Sequence, residues 1–136
     1  MKTRVIVSAV IEKNNHLLFG KKRKNVGPYP NTWHLIGGGV EPDESLEDGI
    51  KREIREEADI EVEILERLGF DDDFEPDKHG ELTHYIFLVY KVKYISGEAK
   101  ADDDLEELKW FSKNELPESE FNRPTLKLFK KLDYIK

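Results

Sequence analysis

Cysteine is absent from the chain's 136 residues, which excludes disulfides and thiolate metal sites. A reducing compartment suits such a chain, so a cytoplasmic location is the expectation. Long apolar runs are missing too. A membrane span needs ~20 consecutive apolar residues, and nothing here approaches that length. The apolar VIVSAVI at 5–11 follows Lys2 and Arg4 in the manner of a secretion signal. It is short, runs into the polar EKNNH and lacks a clear small-residue cleavage site, so it reads as a strand. Basic residues are the minority, 22 against 29 acidic, for a net charge of −7. That balance argues against nucleic acid and anionic lipid surfaces as partners. Local runs interrupt it: KKRK at 21–24, and DDD at 71–73 and again at 102–104. Each reads first as a solvated face or a turn.

The length suits one domain spanning residues 1–136, which buries roughly two-thirds of its unfolded surface. RVIVSAVI at 4–11 is nearly continuous in β-branched and small apolar residues, the pattern of a strand covered on both faces. KNN supplies turn residues and HLLFGKK a second strand, giving a hairpin over 4–22. RKNVGPYPN is loop, TWHLI a short strand ending at Gly37, and a helix begins near Ser45 and runs to about Ala58. Residues 60–70 and 83–95 read as strands flanking a polar loop, DDDFEPDKHGE. LEELKWFS is another strand, with Leu108 and Trp110 on one face. Pro124 opens a C-terminal helix whose Leu126, Phe129 and Leu132 share a face. The expected fold is α/β: a mixed sheet with two main helices.

Residues 37–60, GGGVEPDESLEDGIKREIREEADI, pack six Glu and three Asp behind three glycines. At 100° per residue, Leu46, Ile50 and Ile54 form an apolar stripe. Asp48, Lys51 and Arg55 point away from it. Glu53 and Glu57 fall beside or within the stripe, and Glu56 flanks Glu53. Carboxylates crowded at a buried edge are costly to desolvate and repel one another. Protonation or a bound cation relieves them, and all-oxygen ligation suits Mg²⁺ or Mn²⁺. An exposed helix whose acids pair with Lys51, Arg52 and Arg55 explains the helix alone equally well. The glycines add to the first reading, since they permit positive φ and a close backbone approach to a ligand.

The spacing resembles the signature of the Nudix hydrolases, G-x5-E-x7-R-E-U-x-E-E-x-G-U, with U a bulky aliphatic. Gly38, Glu44, Arg52, Glu53, Ile54, Glu56, Glu57 and Ile60 match it. Asp59 stands where the family has glycine, and Ile36 where a proline often precedes the glycines. The early hairpin, Trp33 and ELKWFSKNELP also look like the family. The resemblance implies an α/β/α sandwich and Mg²⁺- or Mn²⁺-dependent cleavage of a nucleoside diphosphate derivative. It implies Glu53, Glu56 and Glu57 as metal ligands, with the Gly37 carbonyl as a further one, and Glu56 or Glu57 as the base that takes a proton from water. Glu44 and Arg52 would orient these groups. Gly38 would let substrate approach the backbone, and Lys22 or Arg23 would meet its phosphates.

Asp102, Asp103, Asp104, Glu106 and Glu107 fall in a region that adds a ligand or base in relatives, though each reads first as a solvated acid. Trp33 and Trp110 read as core, and His16, His34, His79 and His84 as structural or exposed. Nucleoside triphosphates are the leading substrate class. FDDDFEPDKHGELTHYIFLVY looks somewhat like GDP-mannose hydrolases, and Pro76 falls near a proline of some ADP-ribose hydrolases. A non-catalytic nucleotide sensor on the same fold would have lost box acids, and this chain keeps them. Many relatives dimerise, so a homodimer is possible on resemblance alone.

Overall fold

The computed structural model describes residues 1–23, 28–100 and 105–136, with the side chains of 105 and 106 left out. In chain order the elements are β1 (Lys2–Lys13), β2 (His16–Lys22), β3 (Trp33–His34), β4 (Ile36–Gly39), α1 (Leu46–Ala58), β5 (Glu61–Pro76), β6 (Leu82–Ser96), β7 (Leu105–Ser112) and α2 (Arg123–Lys131). The sheet runs β3-β2-β1-β6-β5, with β4 also on β1 and β7 on β2. Among the named strands of the described residues, β1 and β6 pair in parallel, in register from Lys2↔Thr83 to Glu12↔Lys93, and the others pair antiparallel. No helix among the described residues is long and apolar enough to cross a membrane.

Strand alternation sends side chains to two cores. Val7, Ala9 and Ile11 of β1 join Ile50, Ile54 and Ala58 of α1 in one cluster. Val10 joins Phe19, Trp33, Leu128 and Phe129 of the α2 side in the other. The helices therefore cover opposite faces of a mixed sheet, an α/β/α sandwich. Leu108 and Trp110 share the α1 side, as expected.

Helix α1 starts where its cap demands. The Ser45 hydroxyl accepts the Asp48 N–H at 3.1 Å, satisfying one of the first turn's unpaired donors. It ends at Asp59, held at φ 57°, ψ 39° with its N–H on the Arg55 carbonyl. Asp adopts the left-handed cap that glycine fills more easily. In α2 the Asn122 side chain caps Thr125 at 2.9 Å and the helix starts at Arg123, so Pro124 is its second residue.

Three expectations change. TWHLI is two strands, because Trp33–His34 pairs β2 while Ile36–Gly39 pairs β1. DDDFEP is strand rather than loop: β5 continues through Pro76 opposite Leu82, leaving 77–81 as the turn. Asp has poor strand propensity, but these acids have cationic partners on α2. Asp71 lies 3.1 Å from Lys127 Nζ and Asp73 3.1 Å from Arg123 Nε. The α2 face also shifts. Leu128 and Phe129 are buried, whereas Leu126 and Leu132 are only partly covered.

Truncating that face separates the two leucines. Leu128→Ala should cost about 2–5 kcal/mol in urea unfolding, and Leu126→Ala clearly less. Equal losses would contradict this packing.

Candidate functional site

The three glycines act as a strand that other groups touch closely. None of Gly37, Gly38 or Gly39 has positive φ, so the conformational freedom expected of them is unused. A Cβ on Gly37 would collide with the Val7 carbonyl of β1. On Gly38 it would overlap the Glu53 carboxylate, and on Gly39 the Arg4 guanidinium. Close approach explains all three.

Behind that strand, Arg52 gathers the acids. Its Nε lies 3.0 Å from Glu44 Oε2 and its Nη2 2.6 Å from Glu44 Oε1, a bidentate pair. Nη2 also donates to the Gly39 carbonyl at 2.9 Å. Nη1 donates to Glu53 at 2.9 Å and to Glu56 at 3.2 Å. Glu44 accepts the Glu41 N–H as well. The Arg52 guanidinium, followed by that N–H, holds the Glu44 carboxyl down at about 2. Its contribution to stability is complete above the unfolded value near 4.5 and lost as pH falls towards 2.

Glu57 is buried, and its Oε1 accepts the Gly37 N–H at 2.9 Å. Glu56 is half exposed, more open than its place beside the apolar stripe suggested. Glu53, Glu56, Glu57, Gly37 and Gly38 all border one cavity of about 470 Å³, while Glu44 and Arg52 stand behind its wall. Among the described residues no three carboxylate or imidazole groups form a ready-made cation cluster, and Glu53 and Glu56 share Arg52 Nη1. The donor set is nonetheless all oxygen: the Glu44, Glu53 and Glu56 carboxylates share one guanidinium, and Glu44 and Glu57 each accept a backbone N–H. That surplus of negative charge suits a hard divalent cation.

The floor of the cavity follows from the register. Across β1, β6 and β5 the rows read Arg4–Tyr85–Asp73, Ile6–Phe87–Asp71 and Ser8–Val89–Gly69. Pro28, Tyr29 and α2 residues Pro124, Thr125 and Leu128 close the far side. The Tyr29 hydroxyl donates to Asp73 at 2.7 Å, and the Arg123 guanidinium lies 5.4 Å from its ring centre. Carboxylates of α1 thus meet the cavity beside β4, while the rings of Tyr29, Tyr85 and Phe87, with Asp71 among them, meet it from elsewhere on its wall.

Among the expected phosphate contacts, Lys22 borders this space, whereas Arg23 is exposed and off its wall. Asp102, Asp103, Asp104 and the Glu106 side chain lie outside the described residues, and Glu107 is exposed on β7. Trp33 is core, and Trp110 is partly buried against Tyr94. Sequence reasoning missed Arg4, Tyr29, Lys78, His79 and Tyr85 on the wall. The period-two placing of Arg4, Ile6 and Ser8 on one strand was a usable signal for the first.

His34 is buried on the wall. Its Nδ1 lies 2.7 Å from the Leu35 carbonyl, which only accepts, so Nδ1 carries the proton. Nε2 is enclosed with no partner among the described residues. Burial, reinforced by the nearby Lys22 charge, pushes the imidazole down to about 4.

The NUDIX domain family matches residues 2–132. An ADP-ribose pyrophosphatase of Methanocaldococcus jannaschii is 36% identical over 118 residues, covering 87% of this chain and 67% of that protein. A nucleoside triphosphatase, NudI, of Escherichia coli is 31% identical, covering 94% and 97%. The crystal structure of a MutT NUDIX hydrolase from Burkholderia pseudomallei superposes with a TM-score of 0.83 at 28% identity, covering 97% of this chain and 99% of that one.

The histidine makes stability depend on pH. The unfolded chain protonates His34 near 6.5 and the folded chain near 4, so folding weakens as pH falls through that window and levels off below it. The loss is about 3 kcal/mol. Urea unfolding of wild type and His34→Phe across pH 4–7 checks it: the stability wild type loses over that range should exceed the variant's loss by about 3 kcal/mol, and parallel profiles would refute it.

Proposed function

The chain belongs to the Nudix hydrolase family and is a pyrophosphohydrolase, and from that premise we propose that it hydrolyses nucleoside triphosphates with Mg²⁺ or Mn²⁺. The observation that carries this reading is the lining of the cavity. Glu53, Glu56 and Glu57 border it from α1, and Tyr29, Tyr85 and Phe87 line it from the segment before β3 and from β6. A nucleotide has parts to match both, a polyphosphate and a flat base.

Glu53, Glu56 and Glu57, with the Gly37 carbonyl, would hold the cation. A bound divalent ion polarises the phosphorus and lowers the pKa of water at the site. The residues themselves do the rest. Glu56 and Glu57 are the candidates to accept the proton from the attacking water. The Gly37 N–H keeps the Glu57 carboxylate aimed. Arg52 and Glu44 hold Glu53 and Glu56 at the glycine strand. Lys22 meets phosphate oxygens from the wall.

The NudI relative supports the triphosphate reading, because its likeness extends over nearly the whole of both chains. ADP-ribose is the second reading, favoured by the 36% identity to the Methanocaldococcus jannaschii enzyme. The absence of cysteine fits a cytoplasmic setting for either substrate.

A panel of nucleoside triphosphates, ADP-ribose and nucleotide sugars, assayed with Mg²⁺ and with products identified, tests the proposal. A nucleoside triphosphate should give the highest kcat/KM, and chelation should abolish turnover. Glu57→Gln should lower kcat by about 100-fold or more. Undiminished turnover in that variant would remove Glu57 from the mechanism, and preference for ADP-ribose would replace the first substrate reading with the second.

A further inference from the structure

Several cations border the cavity, and they differ in what already holds them. Lys2 is paired with Asp77 at its mouth. Lys22 is the expected phosphate contact. Arg4 lies on the wall and, like Lys22 and Lys78, has no carboxylate partner among the described residues, but its seat sets it apart. Its guanidinium rests on the α-carbon of Gly39, where a Cβ would collide with Nη2.

Gly39 falls in the stretch of five that the Nudix signature leaves free, so the family pattern does not demand glycine there. Its φ is not positive either. What the position does is seat Arg4. One residue earlier, Gly38 seats the Glu53 carboxylate in the same way on the opposite side of β4. Successive Cα atoms are 3.8 Å apart, so adjacent residues place a carboxylate and an arginine on the two flanks of one strand, both bordering one cavity. Arg4 also stands beside Tyr85 in the β1–β6 register.

We infer that Arg4, seated on Gly39, binds phosphate oxygens of the substrate. This rests on the nucleotide reading proposed above. A guanidinium suits the role because its planar donors match phosphate oxygens two at a time, a match an ammonium cannot make. No carboxylate has to be displaced from it first. Arg52, by contrast, is occupied by three carboxylates and a carbonyl.

The test is steady-state kinetics of wild type, Arg4→Ala, Arg4→Lys, Gly39→Ala and the Arg4→Ala/Gly39→Ala double variant, with thermal unfolding of each. Arg4→Ala should raise KM about tenfold or more while kcat stays within about threefold, and Arg4→Lys should recover only part of the loss. A methyl at Gly39 displaces the flexible arginine tip, so Gly39→Ala should reproduce the defect and the double variant should be no worse than either single one. Should Arg4→Ala fold poorly, Arg4→Lys and Gly39→Ala carry the same test. A wild-type KM in all of them overturns the inference while leaving the hydrolase assignment intact. If wild type turns over none of the panel, the substrate reading fails separately. Calorimetric titration with inorganic pyrophosphate in Mg²⁺ then decides on Arg4. About tenfold weaker binding by Arg4→Ala supports it; equal affinity, or no binding by wild type, refutes it.

Discussion

A single guanidinium holds this site together. Arg52 reaches Glu44, Glu53, Glu56 and the Gly39 carbonyl at once. Without that cation, carboxylates on consecutive turns of α1 would repel one another across a partly desolvated surface. With it, the helix, the segment before it and the glycine strand form one charged unit. The same unit leaves a surplus of negative charge facing the cavity, which is what a divalent ion and a polyphosphate together would neutralise. Structural pairing and catalytic use of these acids are therefore two sides of one arrangement. The reading of α1 as a helix of surface ion pairs was half right, since Arg52 does pair Glu53 and Glu56.

The glycine strand carries the second constraint. It must lie against β1 at Gly37, against a carboxylate at Gly38 and against a guanidinium at Gly39. Three kinds of neighbour need the same missing side chain. Positive φ is reserved for other positions, among them Gly69, Gly80 and the non-glycine cap Asp59. A stretch that reads as backbone freedom in one dimension is thus a packing surface in three.

Much was legible beforehand because the signals were local. The α1 stripe of Leu46, Ile50 and Ile54 needs only helical periodicity, and Ser45 needs only its own N-cap geometry. The box spacing likewise names Glu53, Glu56 and Glu57 without any fold. What went astray depended on distant partners. DDDFEP reads as loop until Arg123, Lys127 and Lys131 arrive from a helix some fifty residues later. TWHLI reads as one strand until its halves choose different neighbours. Leu128 rather than Leu126 faces the core because the helix is rotated by what it packs on. Arg4 looked like the charged flank of an apolar run until the parallel pairing with β6 set it on a cavity wall.

By itself the sequence determined the box and the two helices, which rest on spacing along the chain and on the composition of short segments, and the resemblance that the box carries implied the sandwich and the chemical class. The tertiary structure alone decided which cations stand over the cavity, which aromatic rings line it and which imidazole lies neutral in its wall. Those properties depend on register across the sheet and on exclusion of water, and neither is encoded by residues adjacent in sequence.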